Sequence, residues 1–197
     1  MKEKKRVSTY NLVLLALLAA IVVILQLLGS FIKFGPFSVS LVLLPISIGA
    51  ALIGANAGGL LGLVFGIVVL LSGDAAPFLA VSVPATIGLV LVKGLLAGLV
   101  SGAVYRLIAK KNKTAAAISA AAICPIINTG IFVVGVYLFF LPTVTEWGVS
   151  VGAANATTYI FLMMIGVSFL FELGLNLILS PVIVRLVQYT QNREKRR

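Results

Sequence analysis

Long apolar runs with almost no charge restrict what this chain can fold into. The first run, from Tyr10 to Leu28, is roughly 19 residues long and contains no charged residue, and about 20 such residues cross the hydrocarbon core of a bilayer as an α-helix. The whole chain is 61% hydrophobic and 10% charged, whereas soluble domains are roughly half apolar and a quarter charged. We therefore predict an all-α integral membrane protein.

Glycine, proline and charged residues divide the chain into six apolar segments. A single transmembrane domain over 1–197 accommodates them as one bundle of six transmembrane helices, with a basic segment 1–9 before it and a basic tail 188–197 after it. The first run is longer than the core of a signal peptide and lacks a small-x-small cleavage site, which favours a retained helix. Pro142 is expected to end the fifth helix, with a loop over 143–158. The predicted helices are 10–28, 39–53, 55–71, 85–108, 115–141 and 159–187.

The net charge of +10 is concentrated in three clusters beside apolar runs. Six crossings place all three clusters on one side of the membrane, as the positive-inside rule requires. Both termini are therefore predicted to be cytoplasmic, in a multi-pass protein of the plasma membrane. An RNA-binding tail is the weaker alternative, and we expect no nucleic-acid partner. The clusters comprise Lys2, Lys4, Lys5, Arg6, Arg106, Lys110, Lys111, Lys113, Arg193, Lys195, Arg196 and Arg197.

Glycine recurs at every fourth position in two predicted helices, over 54–66 and 94–102. Such spacing makes one flat stripe on a helix, where a second backbone can approach closely. The stripes favour tight packing inside the bundle, and oligomerisation through them is the second interpretation.

Charged and amide side chains at membrane depth indicate a binding site in the last three helices. Charged groups there are costly and persist when they face a cavity or a partner. Lys93 lies in the fourth predicted helix, Asn128 and Thr129 in the fifth, and Glu172 and Asn176 one turn apart in the sixth. Their similar depth predicts one polar pocket open to the exterior. A buried Lys93–Glu172 salt bridge without a ligand remains the alternative.

Recognisable catalytic machinery is absent from the sequence. The chain has no histidine and one cysteine, which excludes disulfides within it, Cys/His zinc sites and histidine-dependent triads. The Gly-Val-Ser-Val-Gly sequence at 148–152 matches a hydrolase motif but lacks its histidine and its strand-to-helix setting. No phosphate-binding loop is present. We predict that the chain is not an enzyme and uses no metal or cofactor.

Three motifs together resemble the substrate-binding S component of energy-coupling-factor (ECF) vitamin transporters. They are ALLAA at 16–20, FGPFSVSL at 34–41 and CPIINTG at 124–130. The resemblance implies a protein that captures a vitamin from outside and docks on a transmembrane coupling subunit, which two cytoplasmic ATPases drive. It is closest to the pantothenate-type members, whose carboxylate ligand Lys93 could meet.

The resemblance also assigns roles to individual residues. Ala16 and Ala20 become the docking surface, although their small-residue spacing fits internal packing equally well. Phe37, Asp74 and Trp147 become candidate gates. Because Trp147 is the one tryptophan, stacking of a large flavin or pterin is disfavoured. The implied substrate-binding residues are Lys93, Asn128, Thr129, Glu172 and Asn176.

Two other functional classes stay open. A self-sufficient secondary transporter or channel would often show inverted repeats, and the two halves of this sequence show no convincing repeat. A membrane-embedded enzyme would need catalytic residues that the sequence does not present in a recognisable form.

Overall fold

A computed structural model describes residues 9–31, 33–34, 37–38 and 40–195, with side chains described over 9–31 and 40–189. The predicted basic segment 1–9 therefore lies outside the described residues except for Thr9, and so does the end of the basic tail at 196–197.

The described chain forms a helical bundle with one small hairpin. The helices and strands are α1 Thr9–Gly29, β1 Lys33–Phe34, β2 Phe37–Ser38, α2 Leu43–Leu52, α3 Ala55–Leu71, α4 Ala76–Leu79, α5 Val83–Ile108, α6 Lys113–Phe139, α7 Leu141–Ser150, α8 Ala156–Thr158, a π-helix Tyr159–Met164 and α9 Gly166–Lys195.

Within the described residues, four helices are long and apolar enough to cross a membrane, namely α1, α5, α6 and α9 from Gly166 to Tyr189. Two apolar helices are shorter, α2 with 10 residues and α3 with 17. Gly54 joins them in a sharp turn at a φ of 130°, which residues with a Cβ rarely adopt.

The region after α6 differs from the loop expected over 143–158. Helix α6 ends at Phe139, and Pro142 lies in the first turn of a new helix, α7, where its missing N–H costs no hydrogen bond. In α7, Val144 is buried and Glu146 is exposed, so this helix lies on the bundle with one apolar side. The segment expected to open the last helix is instead the π-helix, and the N–H of Ile165, the residue after it, donates to the Ile160 carbonyl at 3.0 Å.

The two glycine stripes pack against each other in the most extensive helix contact of the bundle, between α3 and α5. A Cβ added to Gly62 would collide with the Gly94 carbonyl, and one added to Gly94 would collide with the Gly62 carbonyl. Gly58 and Gly98 oppose each other in the same way. The stripes therefore serve packing inside the bundle, which was the first of the two interpretations.

The two ends of the bundle differ. One end carries the tight Gly54 turn and the basic turn between α5 and α6. The other end, which we call the capped end, carries the β1–β2 hairpin, the segment 72–82 with α4, and α7 with α8. An apolar cluster that includes Phe78, Phe140, Val144 and Ile160 fills the space beneath α7.

Gly62→Ala should destabilise the protein, because the new methyl group meets a backbone carbonyl that cannot rotate away. Overpacking of this kind costs about 1–3 kcal/mol. The apparent melting temperature in detergent measures the effect. Gly88→Ala is the matched control, since Gly88 is exposed on α5 with nothing within 4 Å of an added Cβ. Equal melting temperatures for the two variants would contradict the close contact.

A polar chamber at the capped end of the bundle

A chamber of about 90 Å³ opens among α1, α3, α5, α6 and α9 near the capped end. This volume is several times what one water molecule needs. Lys93, Asn128, Thr129 and Glu172 all line the chamber. The structure therefore brings together four of the five residues that the sequence predicted to converge.

Lys93 carries its ammonium group into this chamber from α5. Its Nζ lies 5.5 Å from the centroid of the Phe65 ring and 5.1 Å from that of Phe132, and such contacts stabilise a cation. Glu172 and Asp74 are carboxylates that line the same chamber. In the described part of the chain, however, no carboxylate oxygen lies within the 4.0 Å of a salt bridge to Lys93. The closed Lys93–Glu172 pair considered from the sequence is therefore not formed.

Glu172 links the hairpin region to α9. Its Oε1 accepts a hydrogen bond from the Ser40 backbone N–H at 2.8 Å, across 132 positions of sequence. The carboxylate is buried and lines the chamber. Glu172 thus fastens the chain after β2 to the wall of the chamber.

Asp74 is held at the edge of the chamber by Gln26 of α1. The Gln26 Nε2 donates to Asp74 Oδ2 at 2.7 Å, and the Ser72 hydroxyl donates to the same oxygen at 3.3 Å. Asp74 also borders a second, open hollow lined by Leu27, Phe31 and neighbouring residues. It therefore lies between the chamber and a surface depression, a position that suits the predicted gate.

Trp147 is not among the residues that line the chamber, but its ring contacts Phe78, which does line it. The Phe78 ring lines the chamber and lies edge-on to Phe132, Phe140 and Trp147, with centroid distances of 5.6, 4.9 and 5.5 Å. The third candidate gate, Phe37, lies in β2, and its side chain is outside the described residues.

The remaining predicted residues lie away from the chamber. Asn176 is buried one turn beyond Glu172, and its Nδ2 donates to the Glu172 backbone carbonyl at 2.9 Å. It does not line the chamber. Ala16 and Ala20 are exposed on the outer side of α1.

Three polar residues line the chamber that the sequence reasoning had not named: Gln26, Ser40 and Ser168. Two of them carried a signal. Gln26 is the one polar side chain between residues 12 and 28, and Ser168 precedes Glu172 by one helical turn on the same face. Ser40 contributes its backbone N–H to Glu172, which no side-chain pattern reveals.

A family model described as "ECF transporter, substrate-specific component" matches residues 10–184 of the chain. The match includes every residue that lines the chamber. No curated protein matches the chain significantly.

Glu172→Gln should leave the protein more stable than Glu172→Ala, by about 1–2 kcal/mol. Both changes remove the buried charge, but only alanine leaves the Ser40 N–H without its acceptor. Melting temperatures of the two variants in detergent give the difference. The same pair of changes at the exposed Glu146 should give no difference. Indistinguishable Glu172 variants would show that the bond to Ser40 contributes nothing.

Proposed function

The chain belongs to the substrate-specific components of ECF transporters, and on that premise we propose that its chamber captures a small, water-soluble vitamin acid from outside the cell. Pantothenate is the first candidate. The family is a transporter component and not an enzyme family, so the membrane-enzyme alternative falls away.

The observation that carries the proposal is that Lys93 faces the chamber without a salt-bridge partner among the described residues. Its ammonium group faces the chamber between two aromatic rings, and no described carboxylate closes on it. A lysine ammonium has three N–H donors and no acceptor, and charge-assisted hydrogen bonds to a carboxylate are among the strongest in proteins. In the proposed complex, an anionic group of the ligand forms the salt bridge with Lys93 that no described carboxylate forms.

Size and wall chemistry support a compact ligand. The chamber volume is about 90 Å³, and the only tryptophan stands behind Phe78 instead of facing the cavity. A large planar flavin or pterin would lack its usual stacking surface. Pantothenate, a short flexible chain with one carboxylate, suits the chamber better.

The proposed topology has six crossings, with α2 and α3 as the second and third and with both termini in the cytoplasm. Several apolar helices make the chain a multi-pass membrane protein. The basic turn between α5 and α6 then faces the cytoplasm, in keeping with the positive-inside rule. The capped end, and with it the chamber, faces the exterior of the plasma membrane.

Transport requires partners in this proposal. A transmembrane coupling subunit would dock on α1 at Ala16 and Ala20, and two cytoplasmic ATPases would supply energy. Both alanines are exposed, and larger exposed side chains such as Val13 and Leu17 flank them. This leaves a shallow depression in which another helix can pack closely.

Mass spectrometry of the protein purified in detergent tests the ligand assignment directly, because a tightly held small molecule copurifies. Pantothenate or a related acid is the expected result. A copurified cation or neutral lipid as the sole ligand would overturn the assignment.

Lys93→Ala should weaken pantothenate binding by about 1.5–3 kcal/mol, the loss of one charge-assisted hydrogen bond. Isothermal titration calorimetry on the purified variant measures this. Lys111→Ala is the control, since Lys111 is exposed in the basic turn at the opposite end. Unchanged affinity in Lys93→Ala would remove this residue from the binding site.

Ala16→Leu and Ala20→Leu should abolish uptake while binding in detergent persists, because a larger side chain fills the proposed docking depression. Gly88→Leu, an exposed small-to-large change on α5, should leave uptake intact. Uptake is measured in liposomes with and without the coupling subunit and ATPases. Uptake by this chain alone would instead support the secondary-transporter alternative. Loss of binding with retained assembly would refute the docking surface.

A further inference from the structure

Four buried side-chain polar atoms have no hydrogen-bond partner in the described part of the chain, and three of them belong to residues that line the chamber, the fourth being Asn176 Oδ1. The three in the chamber wall are Gln26 Oε1, Asn128 Oδ1 and Ser168 Oγ. Buried polar atoms in proteins are nearly always paired, and each one left unpaired costs roughly 1–3 kcal/mol. Since all three belong to residues of one cavity wall, an occupant of that cavity is the natural source of their partners.

Gln26 gives the most specific information about that occupant. Only 1% of this residue is exposed, and its Nε2 donates to the Asp74 carboxylate at 2.7 Å. A flipped amide would place its oxygen against a carboxylate oxygen, so the contact with Asp74 assigns which end is which. The unpaired Oε1 is therefore an acceptor, and only an O–H or N–H group can satisfy it.

Ser168 and Asn128 add two more positions around the same cavity. Ser168 lies on α9 one turn before Glu172, and its hydroxyl can donate or accept. Asn128 lies on α6, and its amide can present either end to an occupant. Lys93, on α5, offers donors only. The wall thus presents one cationic donor group, two carboxylates that accept from Ser40 and Gln26, and several neutral hydrogen-bonding groups. Among the neutral atoms, the unpaired Gln26 Oε1 can only accept.

We infer that the chamber binds a carboxylic acid that also carries hydroxyl or amide N–H donors, and that Gln26 Oε1 accepts a hydrogen bond from one of these donors. The inference rests on the proposed function and specifies the substrate class of the same chamber. Lys93 selects the carboxylate, Gln26 selects the donor, and Ser168 contributes a second neutral hydrogen bond. Gln26 belongs to α1, so a helix outside the three from which the pocket was predicted takes part in specificity.

The test compares the affinities of four probes for the purified protein by calorimetry. Pantothenate and biotin are acids with hydroxyl, amide or ureido donors. Octanoate is an acid of similar length with none beyond the carboxyl group, and panthenol keeps the donors of pantothenate but lacks the carboxylate. Wild type should bind at least one donor-bearing acid about tenfold or more tightly than octanoate and panthenol.

The variants then assign the selection to residues. Gln26→Met keeps the length of the side chain and removes both the acceptor Oε1 and the Nε2 donor to Asp74. Because the loss at Asp74 affects every acid alike, the preference for the donor-bearing acid over octanoate should fall about tenfold through the lost acceptor. Ser168→Ala, a smaller change, should lower the same preference severalfold. Gln188→Met, at an exposed position of α9, should keep the wild-type preference.

The outcomes separate the inference from the function on which it rests. Suppose that a donor-bearing acid binds and that both Gln26→Met and Ser168→Ala still prefer it to octanoate as strongly as the wild type does. Water then satisfies the unpaired polar atoms of the wall, and the inference alone is overturned. If the wild type binds the donor-bearing acids no more tightly than octanoate, the inference also fails. This comparison needs no variant, so it holds even if Gln26→Met cannot be purified in a folded state. If none of the acids binds, the proposed function fails and the inference fails with it.

Discussion

The contact of backbone on backbone between α3 and α5 determines where the chamber can form. With glycine on both sides, the two helices approach until carbonyl groups occupy the space that side chains would fill. Gly94 faces α3, and the adjacent Lys93 is turned by about 100° around α5. Its ammonium group thereby reaches the space between Phe65 of α3 and Phe132 of α6. A wider separation of α3 from α5 would move the lysine away from the Phe65 ring.

A charge placed at this depth imposes a second constraint on its surroundings. Lysine inside an apolar bundle is costly unless aromatic faces, carboxylates or a ligand stabilise it. Here the carboxylates are present but engaged elsewhere, since Glu172 accepts from Ser40 and Asp74 accepts from Gln26. Each carboxylate therefore fixes a segment of the capped end through a hydrogen bond, and neither forms a salt bridge with Lys93. In the proposed function, this division of roles distinguishes a ligand-binding chamber from a closed structural salt bridge.

The rule that charged groups in a membrane face a cavity was sufficient to predict that Lys93, Asn128, Thr129 and Glu172 converge. It did not distinguish Asn176, whose position one turn from Glu172 fits the same face but whose amide bonds to the backbone of α9. Trp147 was placed in a loop because Pro142 was interpreted as a stop, whereas proline is equally suited to a first turn. Ser40 acts through its backbone, which side-chain patterns cannot show. Gln26 went unnoticed because its helix was considered for docking alone.

Helix α1 therefore has two different faces. Gln26 reaches the chamber wall from one, and Ala16 and Ala20 are exposed on another. Gln26 follows Ala20 by six positions, a distance of about 9 Å along the helix axis. An α-helix is stiff over such a length, because its hydrogen bonds connect each turn to the next. In the proposed assembly, the same rigid segment would contact the bound acid and the coupling subunit, with no intervening loop between the two contacts.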